Sequence, residues 1–173
     1  MSRRVVEVAP ARLDGWLDRF AANNPDGPQR LVAVDRFDHD PLAVVLVRRG
    51  GYAVGLASGD RLTAHKVGTR YVQSRTAAGG WSQQRFARRR SNQADELVAA
   101  AAEHAARLVT GIRFGGLVVG GDKALVATLL AHDALAGIRD LPRRELYDLP
   151  DPRLDVLRRA VERGRAARVT ITE

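Results

Sequence analysis

Apolar positions divide the first half of the chain into one helix and a series of strands. Helical spacing predicts a helix over residues 13–20, which the turn-forming sequence at 23–28 ends. The strand segments are rich in β-branched residues and are separated by glycine-containing turns, which is typical of hairpins. They lie at 31–34, 42–47, 52–57, 61–67 and 69–75, the last two being separate strands or one strand broken at Gly68. Residues 42–75 are therefore predicted to form an antiparallel meander.

The second half of the chain alternates helices with short strands. Residues 76–92 show no apolar periodicity and are predicted to form a flexible loop, and long loops in compact domains are usually functional. The segments that follow are a helix at 93–109, a strand at 114–119, a helix at 123–132, a strand or linker at 144–149, a helix at 152–163 and a strand at 167–172. This order predicts a single α/β domain over residues 1–173, with a mixed β-sheet packed by helices. Residues 1–29 are predicted to be an N-terminal helical extension.

Composition narrows the class of protein. The 173 residues, 45% hydrophobic and 28% charged, suit one globular domain with a single core. The chain has no cysteine, which excludes disulfides and thiolate metal sites and favours a reducing, cytoplasmic setting. The apolar runs are too short to cross a bilayer, and the charged start lacks the apolar core of a secretion signal. We therefore expect no membrane partner.

The positive charge is concentrated in one segment. Residues 61–94 contain no acidic residue and eight basic ones: Arg61, Lys66, Arg70, Arg75, Arg85, Arg88, Arg89 and Arg90. The chain has 28 Lys and Arg against 20 Asp and Glu, so this segment accounts for the whole net charge of +8. Such a local cationic field is typical of a surface that binds a polyanion, most often nucleic acid.

Neutral residues within this segment are suited to chemistry on RNA. Gly79 and Gly80 allow the backbone to approach a ligand closely. Gln83 and Gln84 donate and accept hydrogen bonds, so either can orient a water molecule or stabilise an oxyanion through its backbone N–H. Trp81 and Phe86 can stack on bases. Chemistry on an RNA-bound ester is one interpretation, and a basic loop that only binds RNA is the other.

The arginines of the segment also have a regular spacing. Arg85, Arg88 and Arg89 share one face if the segment is helical, and a guanidinium suits bidentate contacts with phosphate.

The sequence Gly79-Gly80-Trp81-Ser82-Gln83 resembles the Gly-x-x-Gln loop of the Vms-type release-factor-like hydrolases, which are similar to the middle domain of eukaryotic and archaeal class I release factors. The resemblance covers residues 30–173 and includes the preceding meander, the following helix and a strand–glycine turn–lysine element at 117–123. It implies an α/β domain of RNase H-like topology and a peptidyl-tRNA hydrolase that acts on the large ribosomal subunit. The separate codon-reading domain of termination factors has no counterpart here, so rescue of stalled complexes is expected rather than stop-codon termination.

The resemblance also implies roles for particular residues. Gln83, with Gln84 as the alternative, would place the attacking water, and Gly79 and Gly80 would let the loop pass the tRNA end. The RNA contacts would be Arg70, Arg75, Arg85, Arg88, Arg89, Arg90 and Trp81. The expected partners are the large subunit and peptidyl-tRNA, with no cofactor, no metal and a monomeric chain. Cleavage of the tRNA near its 3′ end and non-catalytic binding to RNA are the alternative functions.

Other motifs favour ordinary structural roles. Asp38-His39-Asp40 lacks the further ligands of a metal site and is expected to face solvent. Gly120-Gly121-Asp122-Lys123 lacks the spacing of a phosphate-binding loop, so Asp122 is predicted to cap the helix that follows. Ser82 has no nearby His and Asp partners, which argues against a serine hydrolase.

Overall fold

The computed structural model describes residues 1–69 and 81–173. The elements in chain order are β1 (Arg3–Val8), α1 (Leu13–Asn23), β2 (Arg30–Asp35), β3 (Leu42–Arg48), β4 (Gly51–Ser58), β5 (Arg61–Thr69), α2 (Trp81–Val109), β6 (Gly116–Gly121), α3 (Lys123–Leu130), β7 (Arg143–Leu146), α4 (Leu154–Arg165) and β8 (Ala167–Thr172). They form a terminal unit, Met1–Asp38 with Glu162–Glu173, and a central unit, His39–Val161.

The central unit contains a five-stranded mixed sheet in the order β5-β4-β3-β6-β7. The hairpins β3–β4 and β4–β5 are antiparallel, whereas β6 runs parallel to both β3 and β7. Strand β3 is buried along six consecutive residues, which explains its continuous run of apolar side chains. The predicted α/β class, with an antiparallel meander first and helices packed on a mixed sheet, is confirmed.

Helices cover both faces of this sheet. On one face, α2 and α3 pack through a cluster that includes Val45 of β3, Val54 of β4 and Leu97 of α2. On the other face, a Cβ built on Gly55 of β4 would lie 3.2 Å from the Leu157 side chain of α4. Full burial of a leucine such as Leu97 stabilises the fold by about 1.5–3 kcal/mol relative to exposure.

The terminal unit is a three-stranded antiparallel sheet in the order β1-β8-β2, with α1 packed on one face. Alternate residues of β8 (Ala167, Val169 and Ile171) form its small core together with Leu13 of α1. A bidentate pair between Arg163 and Glu7, with N–O distances of 2.9 and 3.1 Å, links the region before β8 to β1. The predicted strand at 167–172 is confirmed residue for residue.

Three local predictions need correction. Residues 3–8 form β1, so the region 1–29 is not wholly helical, and the strand depends on β8, which is distant in the sequence. Strand β5 runs through Gly68 to Thr69 without a break, while residues 70–75 lie outside the described residues. Residues 81–92 are helical rather than a loop, because Gln, Arg and Ala are strong helix formers that need no apolar stripe. Residues 76–80 of the predicted loop lie outside the described residues.

Candidate nucleic-acid interface

The predicted site residues that the structure describes lie in the first turns of α2. Gln83 lies in the first turn of this helix, and the Gln84 side chain is exposed. The first four backbone N–H groups of a helix have no acceptor within the helix, and the aligned peptide dipoles make that end partly positive. Because α2 begins at Trp81, the N–H groups of both glutamines belong to this set. Gly79, Gly80, Arg70 and Arg75 lie outside the described residues.

The helical start of α2 brings three arginines onto one face. Arg85, Arg88 and Arg89 are exposed and follow the i, i+3, i+4 spacing of neighbours on a helix. This face points away from the apolar stripe that begins at Leu97 and enters the core. The side chains of Arg88 and Arg89 make no hydrogen bond or ion pair with any described residue. Their charges are therefore available to a ligand, as the spacing predicts.

Arg90 and Phe86 occupy a different part of the same helix. Both are half-buried, and their spacing of four residues places them in line with the stripe that continues to Leu97. Trp81, which is predicted to stack on bases, lies in the first helical turn. Of the four arginines between residues 85 and 90, three thus lie on the outer side of the helix, and Arg90 lies on the side of the apolar stripe.

The arginine-bearing part of α2 lies ahead of the hydrophobic core. From Gln84 to Glu96 no side chain is fully buried, and Leu97 is the first that is. At 1.5 Å per residue, the 16 residues before Leu97 correspond to roughly 24 Å of helix. Most of that length is covered by polar and cationic groups, so the region has the accessibility that a binding surface needs.

Tyr52 connects the two elements that flank residues 70–80. Its ring is 4% exposed and stacks on His104 of α2, with ring centroids 5.6 Å apart. Across the hairpin, Tyr52 is paired with Gly68 of β5, and the ring occupies the space that a Cβ at Gly68 would need. Sequence reasoning treated Gly68 as a possible break and missed this contact. The usable signal was an aromatic residue opposite a glycine in the predicted hairpin.

The glycine turn after β6 is built for close packing and helix capping. A Cβ on Gly120 would lie 2.5 Å from the Leu146 carbonyl oxygen of β7, and Gly121 has a φ of +108°, which favours glycine. The Asp122 carboxylate accepts a hydrogen bond of 3.0 Å from the Leu125 N–H. The predicted capping role of Asp122 is confirmed.

The end of the same sheet carries a cation above an aromatic ring. Lys123 Nζ lies 5.9 Å from the centre of the Tyr147 ring. Burial raises the pKa of the Tyr147 hydroxyl, and the negative charge and hydrogen bond of Glu145 raise it further, while Arg143 acts in the opposite direction. Burial and Glu145 therefore favour the neutral phenol of Tyr147 beside Lys123.

The Asp38-His39-Asp40 motif contributes to a turn. Asp40 Oδ1 accepts a hydrogen bond of 2.9 Å from the Gly59 N–H. Among the residues that the structure describes, no group of three or more His, Asp or Glu side chains could hold a metal ion. Within the described ranges, no helix is long and apolar enough to cross a membrane.

Comparison with known families decides the class of the protein. Residues 40–170 match the model of the Actinobacteria/chloroflexi VLRF1 release factor family, which is more than half of the chain. The chain belongs to this family. The match includes β3, β4, β5 and the whole of α2, so the region of Gln83 and the arginines is part of the family domain. The resemblance to Vms-type release-factor-like proteins is confirmed.

A solved structure supports the fold of this VLRF1 family member. The archaeal translation termination factor aRF1 superposes with a TM-score of 0.54 at 20% sequence identity. The similarity covers 69% of this chain and 32% of the archaeal factor, so the chain spans about a third of that protein's length. No curated protein sequence gives a significant match. The predicted release-factor-like fold is confirmed.

Proposed function

We propose that this protein is a ribosome-associated peptidyl-tRNA hydrolase that releases nascent chains from stalled large-subunit complexes. The observation that carries the proposal is the position of the Gln83 motif at the start of α2, directly ahead of an exposed arginine face. Membership of a release factor family supports the translation context. The protein therefore combines an RNA anchor with a neutral amide a few residues away.

The proposed reaction is hydrolysis of the ester between the nascent chain and the tRNA. Water adds to the ester carbonyl, the bond to the tRNA 3′ oxygen breaks, and the products are a free peptide carboxylate and an intact tRNA 3′ hydroxyl. Gln83 would position the water with its side chain or stabilise the oxyanion with its backbone N–H. Gln84 is the alternative for either role.

The remaining residues of the region would position the reaction. Gly79 and Gly80 would allow the backbone to pass close to the tRNA end. The RNA phosphates would be bound by Arg70, Arg75, Arg85, Arg88, Arg89 and Arg90, and Trp81 would stack on a base. A polyanionic partner fits the charges of Arg88 and Arg89, which have no ion-pair partner among the described residues, since exposed guanidinium groups are typical phosphate ligands.

The test uses large subunits that carry tRNA esterified to a labelled peptide. The full chain should release peptide and leave full-length tRNA, whereas Gln83→Ala should slow release about 10²–10³-fold if its side chain supplies one essential polar contact. Gln93→Ala provides the matched control on the same helix and should release peptide at the normal rate. Binding to the subunits should be equal for all three proteins.

One result would contradict the proposed reaction, and another would contradict a side-chain role for the glutamines. A shortened tRNA product would identify phosphodiester cleavage in place of ester hydrolysis. Normal release by Gln83→Ala and by Gln84→Ala would exclude a side-chain role for both glutamines. Loss of release only when position 83 is changed to proline would instead assign the reaction to the backbone N–H, because proline has no such donor.

A further inference from the structure

Strand β5 forms an open edge of the central sheet. Within the described residues it pairs with β4 alone, and it contains no acidic side chain. Arg61 and Lys66 lie at different points along it, and both are exposed. Neither side chain makes a hydrogen bond or ion pair with a described residue. The edge therefore offers two cations whose surroundings can be compared directly.

Lys66 lies on the same side of the sheet as α2. It is paired with Val54 across the antiparallel hairpin, and paired residues project from the same face. Val54 belongs to the apolar cluster that α2 covers. Lys66 is also two residues before Gly68, where the Tyr52 ring joins β5 to His104 of α2. Lys66 is therefore on the α2 side of the sheet, near the end of β5 that leads into residues 70–80. The arginine face lies 15–19 residues before His104 on the same helix, which is about 22–28 Å along the helix axis.

Arg61 has the same charge but a different setting. It follows the Ser58–Asp60 turn, where the Asp60 carboxylate is next in sequence and the Asp40 carboxylate accepts the Gly59 N–H. Lys66 lies five positions after Arg61 along the strand, which is about 16 Å at 3.3 Å per residue. That separation is about twice the Debye length at physiological ionic strength, so the two ends of β5 present nearly independent fields. Only the Lys66 end is free of nearby carboxylates along the strand.

We propose that the RNA-binding surface of α2 continues onto the end of β5, where Lys66 contacts an RNA phosphate, and that it stops before Arg61. This inference rests on the proposed RNA partner and adds the extent of the surface. The ligand chemistry is a sugar–phosphate backbone, which requires charge without base recognition. The assay with free tRNA and with large subunits then shows whether the phosphate belongs to transfer RNA or to the subunit.

The experiment measures the affinity of the full chain for fluorescently labelled tRNA and for large subunits over a series of salt concentrations. Four proteins are compared: wild type, Lys66→Gln, Arg61→Gln and Arg88→Gln. Lys66→Gln should weaken binding several-fold and reduce the slope of log affinity against log salt by about 0.7–0.9, as for the loss of one phosphate contact. Arg61→Gln removes an equal charge from the same strand and should leave both quantities unchanged.

Each outcome has a distinct meaning. Equal behaviour of Lys66→Gln and Arg61→Gln, with Arg88→Gln weakened, would overturn the extension onto β5 and keep the proposed function. A wild-type protein that binds neither RNA would overturn both. Lysine on an edge strand also discourages edge-to-edge pairing between chains. Self-association of Lys66→Gln in sedimentation experiments, with unchanged RNA affinity, would assign Lys66 to that protective role and overturn the inference.

Discussion

Replacing Gly68 with alanine should destabilise the central unit, because the new methyl group would occupy the space that the Tyr52 ring fills. The ring is 4% exposed and stacks on His104 with an interplanar angle of 18°. It cannot move into solvent without leaving that stack and the cluster around it. The clash must therefore be relieved by a shift of β5, of the ring or of α2.

The expected cost follows from measured effects of adding atoms to a packed core, which are typically about 1–3 kcal/mol. For a chain of this size, each kcal/mol lowers the melting temperature by about 2–4 °C, so a decrease of roughly 2–12 °C is expected. Urea unfolding followed by circular dichroism should show a lower midpoint with an unchanged slope. Gly137→Ala is the matched control, because nothing lies within 4 Å of a Cβ at that exposed position.

A double-mutant cycle identifies the ring as the cause. Tyr52→Leu removes the aromatic ring, so Gly68→Ala should cost less in that background, by about 0.5–3 kcal/mol of coupling. The reasoning is refuted if Gly68→Ala costs no more than Gly137→Ala. It is also refuted if the cost is the same with and without the Tyr52 ring, since the strain would then arise from the backbone of β5.

Three further changes test separate features of the central unit. Asp122→Ala should lower the free energy of unfolding in urea by about 0.5–2 kcal/mol, whereas Asp122→Asn should stay close to the wild-type value because its amide oxygen can still cap α3. Equal losses in the two variants would contradict the capping role. The pKa of Tyr147, followed by ultraviolet absorbance, should be higher than that of a free tyrosine, and Glu145→Gln should lower it. Because the folded pKa is raised, the stability that the neutral phenol contributes is present below pH ~10 and is lost as pH rises through the folded pKa. A normal Tyr147 pKa would contradict this. The double variant Arg88→Ala, Arg89→Ala should change the free energy of unfolding by no more than about 0.5 kcal/mol but should weaken RNA binding. If this variant unfolds, both residues are structural.

The sequence predicts most accurately those elements whose own residues show a clear local pattern. Strand β8 is predicted at its observed limits because its alternating residues, from Ala167 to Ile171, face a core on one side. Asp122 is predicted as a cap because the local order of strand, glycines and helix requires one. Both features are visible in the local sequence pattern, although β8 itself packs against residues that are distant in the sequence.

Elements that depend on distant partners are harder to predict. Strand β1 is stabilised by β8 through pairs such as Val6 with Val169, and its own six residues show only a weak pattern. The first turns of α2 lack an apolar stripe, so a periodicity criterion places the start of the helix near Gln93 instead of at Trp81. The arginine face was predictable from spacing, whereas the contact between Tyr52 and Gly68 required the hairpin register. The roles of Gln83 and Gly80 stay predictions.

The strand order of the terminal unit has a consequence for biosynthesis. The middle strand β8 emerges from the ribosome long after the two strands that flank it. Until then, β1 and β2 have no neighbour to pair with, and exposed side chains such as Val5 and Leu31 lie on strands whose hydrogen-bonding groups are unmet. Domains generally fold as their residues become available during synthesis. The central unit ends at Val161, six residues before β8, so both units become complete at nearly the same point of synthesis, and the terminal sheet forms only when β8 pairs with both of its flanking strands.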